Sequence, residues 1–166
     1  MTEEEKKIVG KIQSDFADLF ISAEEFRGDL TINVRKDRIL DIIRYLKEAP
    51  EAAFDFLVDI AGVDFLKLGG PERFAVVYHL HSHTYLRRLR IKAWIPEDNL
   101  SIDSLMPLWQ TANWQEREIH EMFGIKFTGH PDLRPLLLPD DFTGFPLRKD
   151  FPLKGIGYRE NFPKIK

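Results

Sequence analysis

Three histidines, His79, His81 and His83, have the residue type and spacing best suited to chemistry. Alternate residues of a strand point to the same face, so three imidazoles on one face could bind zinc. A polar outer strand face that runs into a loop produces the same pattern, and we expect His83 to lie already in the turn. A zinc-binding interaction module using these histidines therefore stays open as an alternative.

Other catalytic patterns are incomplete. His120 and Glu121 open a zinc-protease motif, but Gly124 stands where the second histidine is required. Asp140 and Asp141 follow a proline in a predicted loop, where a turn or cap role is favoured over acid–base chemistry. The sequence has no glycine-rich phosphate loop, and its serines lack the context of a nucleophile elbow. A stand-alone enzyme is therefore the least favoured alternative, and we expect no catalytic residue.

The composition narrows the class of protein further. Cysteine is absent, which excludes disulfides and cysteine-ligated clusters in this chain. No apolar run approaches the roughly 20 residues needed to span a bilayer, and the acidic start does not resemble a signal peptide. Residues 124–166 carry eight Lys and Arg against five Asp and Glu, while the rest of the chain is acidic. Neither part has the clustered basic surface that nucleic-acid binding requires.

The elements that must position these residues follow from apolar periodicity. In chain order, the pattern predicts a helix over 3–20, a strand over 29–34, a helix over 36–48, strands over 54–66, 73–81 and 86–95, a short helical piece over 103–110, and a helix over 113–123 that ends at Gly124. In the strand 86–95, alternation directs Leu89, Ile91, Ala93 and Ile95 inward and Arg88, Arg90, Lys92 and Trp94 outward. The order α-β-α-β-β-β-α predicts an α+β two-layer sandwich with a mixed sheet.

Residues 124–166 are predicted to form an extended C-terminal docking arm. They contain six of the ten prolines, which disfavour both helix and central strand. We interpret residues 1–123 as an α+β globular domain and the arm as part of the same structural unit. The arm is also rich in phenylalanine and arginine, a composition typical of binding interfaces. An irregular segment with many apolar side chains is expected to lie on another surface.

Three arginines have expected roles in this region. Arg117 lies one helical turn before Glu121, so the two are expected to form a partly buried pair. Arg134 and Arg148 lie next to proline-restricted backbone. Because a planar guanidinium suits a carboxylate or carbonyl cluster, both are expected to anchor an interface with another subunit rather than to make contacts within the arm.

The same region carries a family resemblance. The run Glu116-Arg117-Glu118-x-x-Glu121-Met122-Phe123, followed after six residues by His130-x-x-x-Arg134-x-Leu136-Leu137, resembles the signature of the 30 kDa subunit of respiratory complex I. The following Leu138-Pro139-Asp140-Asp141-Phe142-x-Gly144-x-Pro146-Leu147-Arg148-Lys149-Asp150-Phe151-Pro152-Leu153 is similar to that family as well. Many members have a second arginine where this chain has Pro135, so any contact made by that arginine is not expected here.

The resemblance implies a non-catalytic, hydrophilic peripheral-arm subunit of a membrane-attached, ion-translocating oxidoreductase. The complex would be an NADH:quinone oxidoreductase or a membrane-bound nickel–iron hydrogenase. The implied role is to dock and stabilise the large quinone-pocket or hydrogenase-like subunit, next to iron–sulfur subunits. The chain itself would hold no cofactor. Partner subunits would hold iron–sulfur clusters and, depending on the complex, a nickel–iron centre or flavin.

The resemblance also implies a location and a set of residues. The subunit would lie on the cytoplasmic side of the cell membrane and attach to it only through its partners. Nucleic acid is not expected to be a partner. Residues of the family motif that match positions of this chain would bind the partner. They are Glu116, Arg117, Glu118, Glu121, Phe123, His130, Asp132, Arg134, Asp140, Asp141, Arg148, Lys149 and Asp150.

Overall fold

A computed structural model describes residues 2–155, so residues 156–166 of the predicted arm lie outside it. The elements are α1 (Glu3–Asp15), β1 (Phe20–Phe26), β2 (Asp29–Arg35), α2 (Ile39–Glu48), β3 (Phe56–Asp64), β4 (Phe74–Ser82), β5 (Arg87–Ile95), β6 (Ser101–Asp103), α3 (Ala112–Phe123) and β7 (Lys126–Thr128). No helix within the described range is long and apolar enough to cross a membrane. These elements confirm the predicted α+β class.

Five strands form one mixed sheet in the order β1-β2-β5-β4-β3. Only β2 and β5 run parallel in this sheet, and the other neighbours are antiparallel. The predicted inward residues of β5 are buried, with Ile91 and Ala93 at 0% exposure. Trp94 lies on the opposite face as predicted. It is nevertheless only 6% exposed, because the ring of Phe65 packs against it with 4.6 Å between centroids.

The helices cover the inward face of the sheet. On α2, apolar residues recur at helical spacing, and Ile39, Ile42, Ile43 and Leu46 are all fully buried. Burial of each such side chain contributes about 1.5–3 kcal/mol, so this face holds the helix in place. Helix α3 crosses β3 at Gly62, where an added Cβ would lie 2.7 Å from the ring of Phe123. A glycine in this strand therefore allows α3 to approach the sheet closely.

Two local predictions were wrong, and the edge strand β1 was missed. The first helix ends at Asp15 rather than residue 20, and the edge strand β1 follows it. Most side chains of β1 are exposed, so it lacks the alternation by which a strand is recognised. Residues 103–110 do not form the predicted helical piece: Asp103 ends β6, and residues 104–110 form turns and bends after it. In that region hydrogen bonding to β7 determines the structure, and β7 is distant in sequence.

The segment after α3 begins inside the globule. Ile125 and Phe127 are 0% and 1% exposed, and β7 pairs in parallel with β6. The chain becomes irregular after Thr128 and remains so to residue 155, in agreement with its prolines. From here on, the arm means the irregular residues 129–155.

Candidate functional site

The C-terminal end of α3 is built to receive the arm. Gly124 ends the helix in a left-handed conformation with φ 77°, and its N–H donates to the carbonyl of His120 at 2.8 Å. An added Cβ at Gly124 would lie 2.6 Å from both the Arg148 guanidinium and the ring of Phe145. Glycine therefore satisfies two requirements here, the backbone conformation and the close approach of the arm.

Glu121 binds the main chain of the arm. Its carboxylate accepts hydrogen bonds from the N–H groups of Leu136 and Leu137 at 3.0 Å, and from that of Leu138. Burial alone would raise the pKa of Glu121, but these hydrogen bonds and the charge of Arg117 outweigh it and keep the pKa below its usual value. Glu121 is thus an ionised anchor for three consecutive backbone donors.

Arg117 binds the same stretch of arm through carbonyl groups. Its Nε donates to the carbonyl of Arg134 at 3.0 Å, and Nη2 donates to that of Pro135 at 3.1 Å. The guanidinium also lies over the Trp114 ring, 5.3 Å from its centroid. The pair predicted between Arg117 and Glu121 is therefore better described as a joint clamp. Arg117 donates hydrogen bonds to carbonyl groups of the arm, and Glu121 accepts hydrogen bonds from its N–H groups.

Glu116 faces the interior of the protein. It is 0% exposed and accepts hydrogen bonds of 2.6 Å from the Ser104 hydroxyl and from the N–H of Leu105. Burial raises the pKa of Glu116 to about 7, against the opposing effect of these two bonds. The structure therefore gives Glu116 the role of holding the turn after β6 against α3. Phe123, also buried, packs on Gly62.

A second anchor, unforeseen in the sequence, holds the far end of the arm. Asp64, whose side chain is 0% exposed, accepts from Arg73 Nε at 3.2 Å and Nη2 at 3.1 Å, and from the N–H of Lys149 at 2.8 Å. Arg73 also forms ion pairs with Asp150 at 2.9 Å and with Glu97. In the sequence, only one feature indicated this second anchor: Asp64 is a carboxylate near the end of a strand that was predicted to be buried.

Arg148 lies between the arm and the globule. Its Nε donates to the carbonyl of Phe123 at 2.7 Å, and its guanidinium stacks 4.3 Å from the Phe145 centroid and 5.2 Å from that of Phe74. Burial lowers the pKa of Arg148 from its ordinary value. The expectation that Arg148 makes no contacts within the arm was wrong, because it stacks on Phe145 of the arm and also contacts the globule through Phe74 and the carbonyl of Phe123.

The predicted residues at the start of the arm lie closer to solvent. Asp132 accepts from Arg134 Nη2 at 2.7 Å, and the hydrogen bonds from Arg134 lower the pKa of Asp132 to about 2. The expectation that Arg134 makes no contacts within the arm was therefore wrong, although its side chain is 83% exposed and remains accessible. His130 Nδ1 accepts from the N–H of Asp132 at 3.0 Å. Glu118, Asp140, Asp141 and Lys149 are exposed.

Large apolar side chains surround this clamp at the surface. Trp114 is 56% exposed, Leu137 62% and Leu147 51%. Leu147 and Glu118 both line a shallow groove of about 220 Å³ between α3 and the edge strand β3. We define the docking surface as Trp114, Arg117, Glu118, Leu137 and Leu147. It combines exposed apolar groups with charges on a backbone that is fixed by hydrogen bonds.

The three histidines His79, His81 and His83 are arranged differently from a zinc site. His83 lies in the turn, and its Nδ1 is 3.1 Å from the Asp55 carboxylate. His81 and His83 rings make an edge contact, with 5.1 Å between centroids. Across residues 2–155, the structure contains no group of three or more His, Cys, Asp or Glu that could hold a metal ion. The observed geometry therefore does not favour the zinc alternative.

Sequence comparison places this chain among respiratory proteins. Residues 32–156 match the family model described as "Respiratory-chain NADH dehydrogenase, 30 Kd subunit". The chain is 47% identical over 146 residues to the C-type subunit of NADH-quinone oxidoreductase from Roseiflexus sp. (strain RS-1), covering 88% of this chain and 83% of the relative. It is 42% identical over 152 residues to the corresponding protein of Geobacter sulfurreducens, covering 92% of each.

Two solved structures are similar in fold. A trypsin-resistant fragment (1-134) of Nqo5 matches with a TM-score of 0.68 and 30% identity, over 78% of this chain and 99% of the fragment. A chain of the membrane-bound sulfane sulfur reductase, an archaeal respiratory membrane complex, matches with a TM-score of 0.73 and 26% identity. That match covers 99% of this chain and 98% of the other. The second match thus extends over the arm as well as the globule.

Proposed function

Because the chain belongs to the family of the respiratory-chain NADH dehydrogenase 30 kDa subunit, we propose that it is a non-catalytic subunit that docks the large subunit of a membrane-attached, ion-translocating respiratory complex. NADH:quinone oxidoreductase is favoured over the hydrogenase type, since the Roseiflexus and Geobacter relatives carry that name. In this proposal the partner is the large quinone-pocket subunit.

The observation that carries the proposal is the clamp of Arg117 and Glu121 on residues 134–138. It fixes the main chain of an irregular segment and leaves Leu137 62% exposed. Fixing a segment before binding reduces the conformational entropy lost on association. An exposed apolar side chain on such a fixed segment has the properties of an interface anchor.

The residues of the family motif then divide into two groups. Glu118, Arg134, Asp140, Asp141 and Lys149 are exposed, and we assign them to contact with the partner. The contacts of a second group support the docking surface from behind. That group consists of Glu116, Glu121, Phe123, His130, Asp132, Arg148 and Asp150. Arg117 belongs to both groups, because it clamps the arm and also packs on the exposed Trp114.

The proposal assigns electron transfer to other subunits. Iron–sulfur clusters and flavin would be held by partners, among them iron–sulfur subunits next to the large subunit. Attachment at the cytoplasmic side of the membrane would likewise be through partners. The sequence supports the cluster assignment, since a chain without cysteine has no thiolate ligand for a cluster.

Leu137→Asp is expected to reduce co-purification with the large subunit at least tenfold, since it places a charge in the centre of an apolar contact. The free energy of unfolding of the isolated chain should change by less than about 0.5 kcal/mol, because the side chain is exposed. Leu68→Asp is the matched control: Leu68 is 69% exposed in the loop between β3 and β4, and its replacement should leave assembly unchanged. Equal yields for the two variants would contradict the proposal.

A further inference from the structure

The sheet face opposite the helices carries a row of cations. Strand β5 places Arg88, Arg90 and Lys92 on this face at alternate positions. The neighbouring strand β4 adds His81 opposite Arg88 and His79 opposite Arg90. Direct partners across antiparallel strands share a face, so the imidazoles lie next to the guanidinium groups. The fold therefore assembles a basic strip that the sequence did not indicate, on a protein whose formal net charge is −3.

Carboxylates of the chain neutralise this strip only in part, and they include Asp59, the cross-strand partner of His79. Arg90 is 3.8 Å from Asp29, and Lys92 is 3.9 Å from Glu24; both carboxylates are more than half exposed. Exposed pairs at such distances contribute little energy. Arg90 Nε and His81 Nδ1 are buried and have no hydrogen-bond partner among the described residues. The strip thus retains charge and donor capacity for another molecule.

A cavity and two apolar side chains accompany the strip. The cavity has a volume of about 270 Å³, and Asp29, Val58, His79, Arg88 and Arg90 are among the residues that line it. Val58 is 46% exposed, and Phe56 on the same edge strand is 48% exposed. The site therefore combines the guanidinium groups of Arg88 and Arg90 with apolar groups on the edge strand β3.

We propose that this face binds an acidic extended segment of a neighbouring subunit. A carboxylate of that segment enters the cavity between Arg88 and Arg90, and an adjacent apolar side chain covers Val58 and Phe56. A free inorganic anion satisfies the cations but leaves the apolar groups exposed. Nucleic acid is disfavoured because its phosphates repeat along its whole length, whereas the protein as a whole has a formal net charge of −3. The site lies apart from the docking surface. The inference rests on the proposed function in one respect, namely that the chain works within a complex.

Carbodiimide coupling in the purified complex tests the occupant directly. This reagent joins amines to carboxylates in contact, so Arg88→Lys keeps the charge and adds a reactive amine. We expect mass spectrometry to find residue 88 of that variant coupled to an Asp or Glu of another subunit, with an apolar residue within two positions. Coupling only to Asp29 or Asp59 of the same chain, or no coupling at residue 88, would overturn the proposal.

Charge reversal tests whether the contact contributes to assembly. Arg88→Glu should lower the yield of complex at least tenfold at physiological salt, because it places like charges together. Lys7→Glu, an equal charge change at an exposed position of α1, should lower it less than twofold. Full assembly of Arg88→Glu would contradict this inference alone, whereas full assembly of Leu137→Asp would contradict the docking proposal.

Discussion

Arg73→Ala is expected to lower the free energy of unfolding by about 3 kcal/mol. The change leaves the Asp64 carboxylate, which is 0% exposed, without its cation. Removing one partner of a buried pair costs roughly 3–5 kcal/mol, because the remaining charge cannot reach water. The lower end applies here, since the N–H groups of Leu66 and Lys149 still donate to Asp64. Chemical denaturation of the isolated chain measures the effect.

Acidification supplies a second measurement on the same pair. Burial opposes ionisation of Asp64, but hydrogen bonds from Arg73, Lys149 and Leu66 outweigh it, so its folded-state pKa lies below the ordinary value of 3.8. The stability that the pair contributes is therefore present above pH 3.8 and lost as the pH falls through the folded-state pKa. The difference between wild type and Arg73→Ala should shrink in that acidic range.

Arg44→Ala is the control for this substitution. Arg44 pairs with Asp41 at 3.4 Å, and both side chains are 42% exposed, so the cost should be under about 1 kcal/mol. A loss of equal size in the two variants would show that Asp64 reaches solvent without Arg73. The second anchor would then be an ordinary surface ion pair, and another contact would have to hold the end of the arm against the globule.

Glu121→Gln is expected to release the arm while the globule remains folded. A neutral amide oxygen cannot replace a carboxylate that accepts from three N–H groups, and hydrogen bonds to charged groups contribute about 1.5–3 kcal/mol each. Water compensates in part, because the arm is near the surface. We expect a net loss of about 2 kcal/mol, or roughly a 30-fold larger open population. Chymotrypsin cleavage after Leu137 or Phe142 should accelerate by a similar factor.

Glu118→Gln tests whether charge alone explains such an effect. Glu118 lies on the same helix but is exposed, so this variant removes an equal charge without releasing the arm. Its cleavage rate should match that of wild type. If Glu121→Gln were cleaved no faster than Glu118→Gln, the three backbone hydrogen bonds would not hold the arm, and the arm would not be preorganised for docking.

The sequence was most informative where burial alone selects the residues. The stripe of Ile39, Ile42 and Leu46 predicted α2, and the alternation of β5 predicted its buried face, because in both cases one surface must be apolar. Strand β1 lacked such a signal because most of its side chains are exposed. β7 was missed because its pairing with β6 joins residues that are far apart in sequence.

The motif indicated the residues of the candidate site, but not the contacts that they make. Arg117 and Glu121 are one turn apart, which predicts an ion pair, whereas the structure directs them to main-chain groups of the arm. A segment without regular structure has unpaired N–H and carbonyl groups, and nearby charges satisfy them. Asp64 and Arg73 were missed for a related reason. The contact between Asp64 and the backbone of Lys149 spans 85 positions and depends on no side chain of Lys149.

Site-specific photocrosslinking in the assembled complex tests the docking claim most directly. A photoreactive phenylalanine analogue would replace Trp114, Leu137 or Leu147 on the docking surface, with Leu68 as the exposed reference position. We expect covalent links from the three surface positions to the large subunit and none from position 68. Links to the large subunit from position 68, with none from positions 114, 137 and 147, would contradict the docking claim.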